Sequence, residues 1–62
     1  MSLEREKELS IYRTERQHKI LHIRALIKER NLTDIPMKQA ELDEKILETK
    51  WKIDALTEEI YG

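Results

Sequence analysis

Asn31-Leu32-Thr33-Asp34-Ile35-Pro36 is the stretch on which the reading of this 62-residue chain turns. Asn tolerates the left-handed conformation that commonly closes a helix, and Thr or Asp can cap the helix that follows. Pro is accepted in a first turn, where its missing N–H would have had no partner. Three signals of different chemical origin therefore place one helix-to-helix turn at residues 31–36. The alternative is a single helix running through Pro36, which would carry the ~3 kcal/mol cost of proline in a helix interior.

Upstream of the turn, no Gly or Pro occurs from Leu3 to Arg30. Leu9, Ile20, Ile23 and Ile27 recur at the three- and four-residue steps that bring side chains onto one helical face, which predicts a first helix over about residues 3–30. Arg13 and Arg16 interrupt this stripe, so its first half is expected to pack less well. Downstream, Ile35, Gln39, Leu42, Ile46, Thr49, Ile53, Leu56 and Ile60 alternate steps of four and three. That is an a/d heptad seam and predicts a second helix over about residues 35–60. Glu41 with Lys45 and Glu48 with Lys52 stand four apart in the favourable order on its exposed flank. At ~1.5 Å per residue each helix is about 40 Å long, so the two match when folded antiparallel. The expected fold is all-α: one domain over residues 1–62, an antiparallel two-helix hairpin that associates into a helical bundle or coiled coil. Ile35, Leu42, Ile46, Ile53, Leu56 and Ile60 should line its seam against Ile20, Ile23 and Ile27.

Composition agrees. Charged residues make up 40% of the chain, with one Gly, one Pro and no Phe, a profile of long helices. Disorder is the competing reading of so much charge, and regular apolar spacing argues against it. With no cysteine there is no disulfide, which fits a reducing compartment. No stretch approaches the ~20 consecutive apolar residues of a membrane span, and Met1-Ser2-Leu3-Glu4-Arg5-Glu6 lacks the basic-then-apolar layout of a signal peptide. A cytoplasmic protein without a membrane partner is expected. Net charge is only −1, but residues 1–30 hold eight Lys/Arg against five Asp/Glu, whereas residues 31–62 hold four against eight. Helices of opposite sign attract when packed together, although exposed pairs contribute only ~0–1 kcal/mol each.

The second helix carries another apolar line nearly opposite its seam: Met37, Ala40, Leu47, Trp51 and Ala55, broken by Glu44. The first helix has a weaker counterpart in Ile11, Leu21 and Ala25, with His18 and His22 on the same side. A two-helix monomer would leave Trp51, Leu47 and Ile11 in water, and a chain this short buries too little apolar surface to be comfortably stable alone. A further layer is therefore expected. The simplest supplier is a second copy, giving a homodimer arranged as a four-helix bundle, with Ile11, Met37, Leu47, Trp51 and Ala55 at the interface. A different protein partner is the alternative.

Three constellations could carry chemistry. Glu15, His18 and His22 project to one side of the first helix, and Glu-x-x-His is the spacing of di-iron carboxylate bundles; a metal site would need more ligands, such as Glu44 or Glu48. The plainer reading is a pair of histidines flanking an interface, where their protonation would make assembly sensitive to pH near ~6–7. Arg13, Arg16, Lys19, Arg24, Lys28 and Arg30 give the first helix a basic character suited to nucleic acid. In length and plan the chain resembles the dimeric, RNA-binding helical hairpins of the Rop type, a likeness of architecture that implies RNA contact through the first helix. Only Tyr12 is placed to stack on bases. Basic residues facing an acidic second helix are the plainer explanation. Finally, Gln39-Ala40-Glu41-Leu42-Asp43 resembles the Ser-Gln-Glu-Leu-Asp signature of small sporulation aspartyl-phosphate phosphatases at Glu41, Leu42 and Asp43 only. Leu42 and Asp43 are also what a heptad and its solvent flank supply unaided.

No Gly-rich phosphate loop, nucleophile elbow or Ser/His/Asp arrangement occurs, so neither enzyme activity nor a cofactor is expected. The function expected is that of a small structural, adaptor or regulatory module acting through self-association and protein–protein contacts.

Overall fold

The computed structural model describes residues 3–62; Met1 and Ser2, the start of the amino-terminal stretch read above, lie outside the described residues. It consists of two helices, α1 over Leu3–Leu32 and α2 over Pro36–Tyr61, joined by residues 33–35. Two cross-links fix their relative direction. The Arg16 guanidinium donates to Thr57 Oγ1 at 2.7 Å, and that of Arg30 donates to Asp43 Oδ1 at 2.7 Å. Fourteen residues forward on α1 from Arg16 to Arg30 correspond to fourteen residues backward on α2 from Thr57 to Asp43. The helices therefore run antiparallel and keep one register over two heptads.

The seam of α2 follows the expected spacing. Gln39, Leu42, Ile46, Thr49, Ile53, Leu56 and Ile60 are buried or half-buried, joined by Thr57. Leu42 is 3% exposed and Thr49 only 8%. A threonine can occupy so tight a position because its hydroxyl is satisfied within its own helix: Thr49 donates to the Lys45 carbonyl and Thr57 to that of Ile53, each at 2.8 Å. The methyl group of each threonine remains for packing.

Helix α1 differs from expectation. Its shielded residues are Leu9, Tyr12, Arg16, Lys19, Ile23, Leu26 and Arg30, with Ile20 on the flank and Thr33 continuing the spacing just past the helix end. These alternate steps of three and four, so α1 has a heptad seam as regular as that of α2, but three of its positions hold Arg or Lys. Long basic side chains occupy such places by packing their alkyl stems and extending their charged ends to the rim. Once those positions are counted, Leu26 takes the core place, 7% exposed, and Ile27 turns outward at 41%. The assignment of Ile27 to the seam is thus corrected. So is that of Ile35, which precedes α2 and is 62% exposed.

The turn is shorter than residues 31–36. Asn31 and Leu32 are still helical, and no described residue has positive φ, so Asn31 does not end the helix in the left-handed conformation. Neither Thr33 nor Asp34 caps α2; Ile35 stands at its N-cap without a side-chain bond. Instead the Thr33 hydroxyl turns back to the Glu29 carbonyl at 2.8 Å, and its N–H reaches the Arg30 carbonyl at 3.3 Å, satisfying acceptors at the end of α1. The Gln39 amide then donates to the Thr33 carbonyl at 2.5 Å and ties the turn to the first turn of α2. Pro36 opens α2 as expected. Glu41–Lys45 and Glu48–Lys52 do not close into ion pairs among the described residues, whereas Arg5 and Glu8 approach to 3.5 Å within α1.

The hairpin measures 50 × 15 × 12 Å. Its radius of gyration of 14.8 Å exceeds the ~10.5 Å of a compact chain of this length. Its accessible surface of 5174 Å² exceeds the ~4,250 Å² typical of a folded 7.5 kDa monomer. A large share of the apolar groups accordingly remains in contact with water.

The neighbouring pair Leu26 and Ile27 tests the corrected seam. Leu26→Ala is expected to cost about 2–4 kcal/mol, and Ile27→Ala about 1 kcal/mol or less, in urea unfolding followed by circular dichroism. Equal losses would contradict the assignment.

Candidate interaction surface

Helical periodicity places the face of α2 away from the seam at Met37, Ala40, Leu47, Trp51 and Ala55, and all five are exposed. Trp51 is 61% exposed and Met37 76%. Carboxylates border this line at Glu41, Glu44, Glu48, Asp54 and Glu58, all exposed, whereas Lys38, Lys45, Lys50 and Lys52 lie toward the seam. The outer face of α2 is therefore apolar along its centre and acidic throughout.

On α1 the corresponding face carries Ile11, Leu21 and Ala25, extended by Leu32 next to the turn, and these too are exposed. Lys7, Arg24, Lys28 and His18 accompany them, against one carboxylate, Glu4, among the described residues on that face. Because each line lies opposite its own helix's seam, the two point away from each other across the hairpin. They do not merge into one patch. A second hairpin laid across both helices, as in a common four-helix core, would meet the flanks of the seam and leave both lines in water.

The other candidate residues are dispersed. Glu15, His18 and His22 are exposed on α1, and no three His, Cys, Asp or Glu side chains among the described residues are grouped closely enough to hold a metal ion. Of the basic set, Arg13, Arg24 and Lys28 are exposed, but Arg16 and Lys19 are half-buried in the seam, as is Arg30 with its bond to Asp43. Tyr12, the aromatic expected to stack on bases, is half-buried as well. In the segment resembling the phosphatase signature, Gln39 is engaged with the turn, Leu42 is core, Glu41 is exposed and Asp43 is paired with Arg30. The hairpin encloses no pocket among the described residues, and no helix among them is long and apolar enough to cross a membrane.

No family of known proteins matches the chain, and no curated protein or solved structure is significantly similar to it.

Sequence patterning identified the outer line of α2 in full. The acidic border is legible in the sequence only face by face, because over the half-chain its carboxylates are averaged with the lysines that lie toward the seam. Arg30–Asp43 also escaped, since its partners are thirteen residues apart across the turn. Both side chains are about half exposed, 40% and 53%, so water screens the pair. Arg30→Gln and Asp43→Asn should each lower stability by less than about 1 kcal/mol, and the double variant by less than their sum. Strict additivity in a urea-melt double-mutant cycle would mean that the pair contributes nothing.

Proposed function

We propose that this chain is a non-enzymatic helical-hairpin module that acts by self-association and protein–protein contact through its outward faces, in a structural, adaptor or regulatory role. The carrying observation is the exposed line of Met37, Ala40, Leu47, Trp51 and Ala55 along the side of α2 that α1 does not touch. A lone exposed Trp would be ordinary, but five residues in helical register form a surface suited to another helix. Association of copies into a helical bundle, beginning with a dimer, is the most economical way to cover it. This reading places the module in the cytoplasm and assigns it neither cofactor nor catalytic residue.

RNA contact in the manner of Rop-type hairpins is less well supported, because Arg16 and Lys19 are spent on the seam and Tyr12 lies beside them. A phosphatase-like role for Asp43 competes with its bond to Arg30.

Removing the central aromatic tests the proposal. Trp51→Ala should weaken association by about 2–4 kcal/mol while leaving the hairpin helical, because Trp51 takes no part in the seam. Sedimentation equilibrium should show the mass falling toward that of one chain. An unchanged mass would reduce the line to a surface feature.

A further inference from the structure

We infer that copies associate head to tail, the outer face of α1 on one hairpin covering the outer face of α2 on the next. This rests on the self-association proposed above and specifies its mode. The reasons are charge, direction and length.

The apolar line of α2 is bordered by Glu41, Glu44, Glu48, Asp54 and Glu58, with no Lys or Arg on that face. A two-fold contact of α2 against α2 would bring ten carboxylates together with no cation to offset them, since such contacts are self-complementary. Like charges across an interface oppose binding strongly. The outer face of α1 has the opposite character: Lys7, Arg24 and Lys28 against Glu4. The other carboxylates of α1 flank the seam instead of lining this face: Glu8, Glu15 and Glu29 lie on the edge of the hairpin that also carries Lys38, Lys45 and Lys52, and Glu6 lies on the opposite edge. Each apolar line thus meets its electrostatic complement on the other helix, and because the lines point in opposite directions one hairpin cannot make that contact with itself. It can make it with a neighbour on either side.

The lengths agree. At ~1.5 Å per residue, the 30 residues of α1 and 26 of α2 span about 45 and 39 Å, so one face covers the other nearly end to end. A contact between two different faces leaves one of each kind unused at the ends, so copies continue to add unless a ring closes. The same geometry makes the salt dependence diagnostic. Screening weakens attraction between an acidic and a basic face, whereas it would strengthen a contact between two acidic ones.

The test uses two double variants of the full chain at exposed positions, Leu47→Gln with Trp51→Gln and Ile11→Gln with Leu21→Gln, in sedimentation equilibrium beside the unsubstituted chain. Head-to-tail association predicts that the unsubstituted chain gains average mass with concentration and loses it as sodium chloride is raised. Each variant alone should associate at least about tenfold more weakly, because every copy lacks one of the two faces. Mixed in equal amounts, the variants should form a one-to-one heterodimer that grows no further, joined by the intact α1 face of one and the intact α2 face of the other. If the Ile11/Leu21 variant still dimerises alone and mixing adds nothing, the contact is α2 on α2; that overturns the head-to-tail mode and leaves self-association standing. If the unsubstituted chain stays monomeric throughout, both readings fail. Should a Gln variant lose helicity, Glu44→Lys with Glu48→Lys serves in its place: it weakens head-to-tail association about tenfold or more and strengthens a symmetric α2 contact.

Discussion

A helix with one neighbour can bury one stripe of side chains, and each helix of this hairpin carries two. The seam between α1 and α2 consumes the first stripe of each, built on Leu26, Leu42 and Thr49 and held in register by Arg16–Thr57 and Arg30–Asp43. Everything else about the molecule follows from what the seam leaves over. It excludes Trp51, Leu47 and Met37 by geometry, because they lie on the far side of α2. It is also a modest seam. Arg16, Lys19 and Arg30 occupy places where a more stable hairpin would put Leu or Ile, and stabilisation from so small a core is limited.

The polar groups within the seam illustrate how a small helical protein tolerates them. Thr49 and Thr57 return their hydroxyl protons to their own helix, so neither leaves a donor unmade. Thr57 then accepts from Arg16, which gives the guanidinium a fixed destination. Gln39 closes the turn through the Thr33 carbonyl. No buried side-chain N or O atom among the described residues lacks a partner. The Arg16–Thr57 and Arg30–Asp43 bonds specify register, since sliding one helix along the other by a turn would separate both pairs.

The sequence made α2 easy to read and α1 hard, for one reason. Every seam position of α2 is uncharged, so the heptad spacing traces it directly from Gln39 to Ile60. In α1 the apolar residues alone trace a line that shares Leu9 and Ile23 with the seam but strays outward to Ile27; the full seam becomes visible when Arg16, Lys19 and Arg30 are allowed to pack by their stems. At the turn, Pro36 was decisive, but Thr33 had two available uses. It served the carbonyls ending α1 instead of the N–H groups opening α2. The outer line of α2 was visible from spacing alone. That it opposes the α1 line instead of joining it required the antiparallel register to be known.

On the association proposed above, a hairpin with two outward apolar faces of opposite electrostatic character would be a repeating subunit. In that case association and stability would be one equilibrium, because neighbours would bind the folded hairpin and not the unfolded chain. The most direct measurement is the melting temperature of the unsubstituted chain, followed by circular dichroism over roughly a hundredfold range of chain concentration. This account predicts a melting temperature that climbs steadily with concentration. A melting temperature independent of concentration would contradict it, and would make the hairpin a self-sufficient fold.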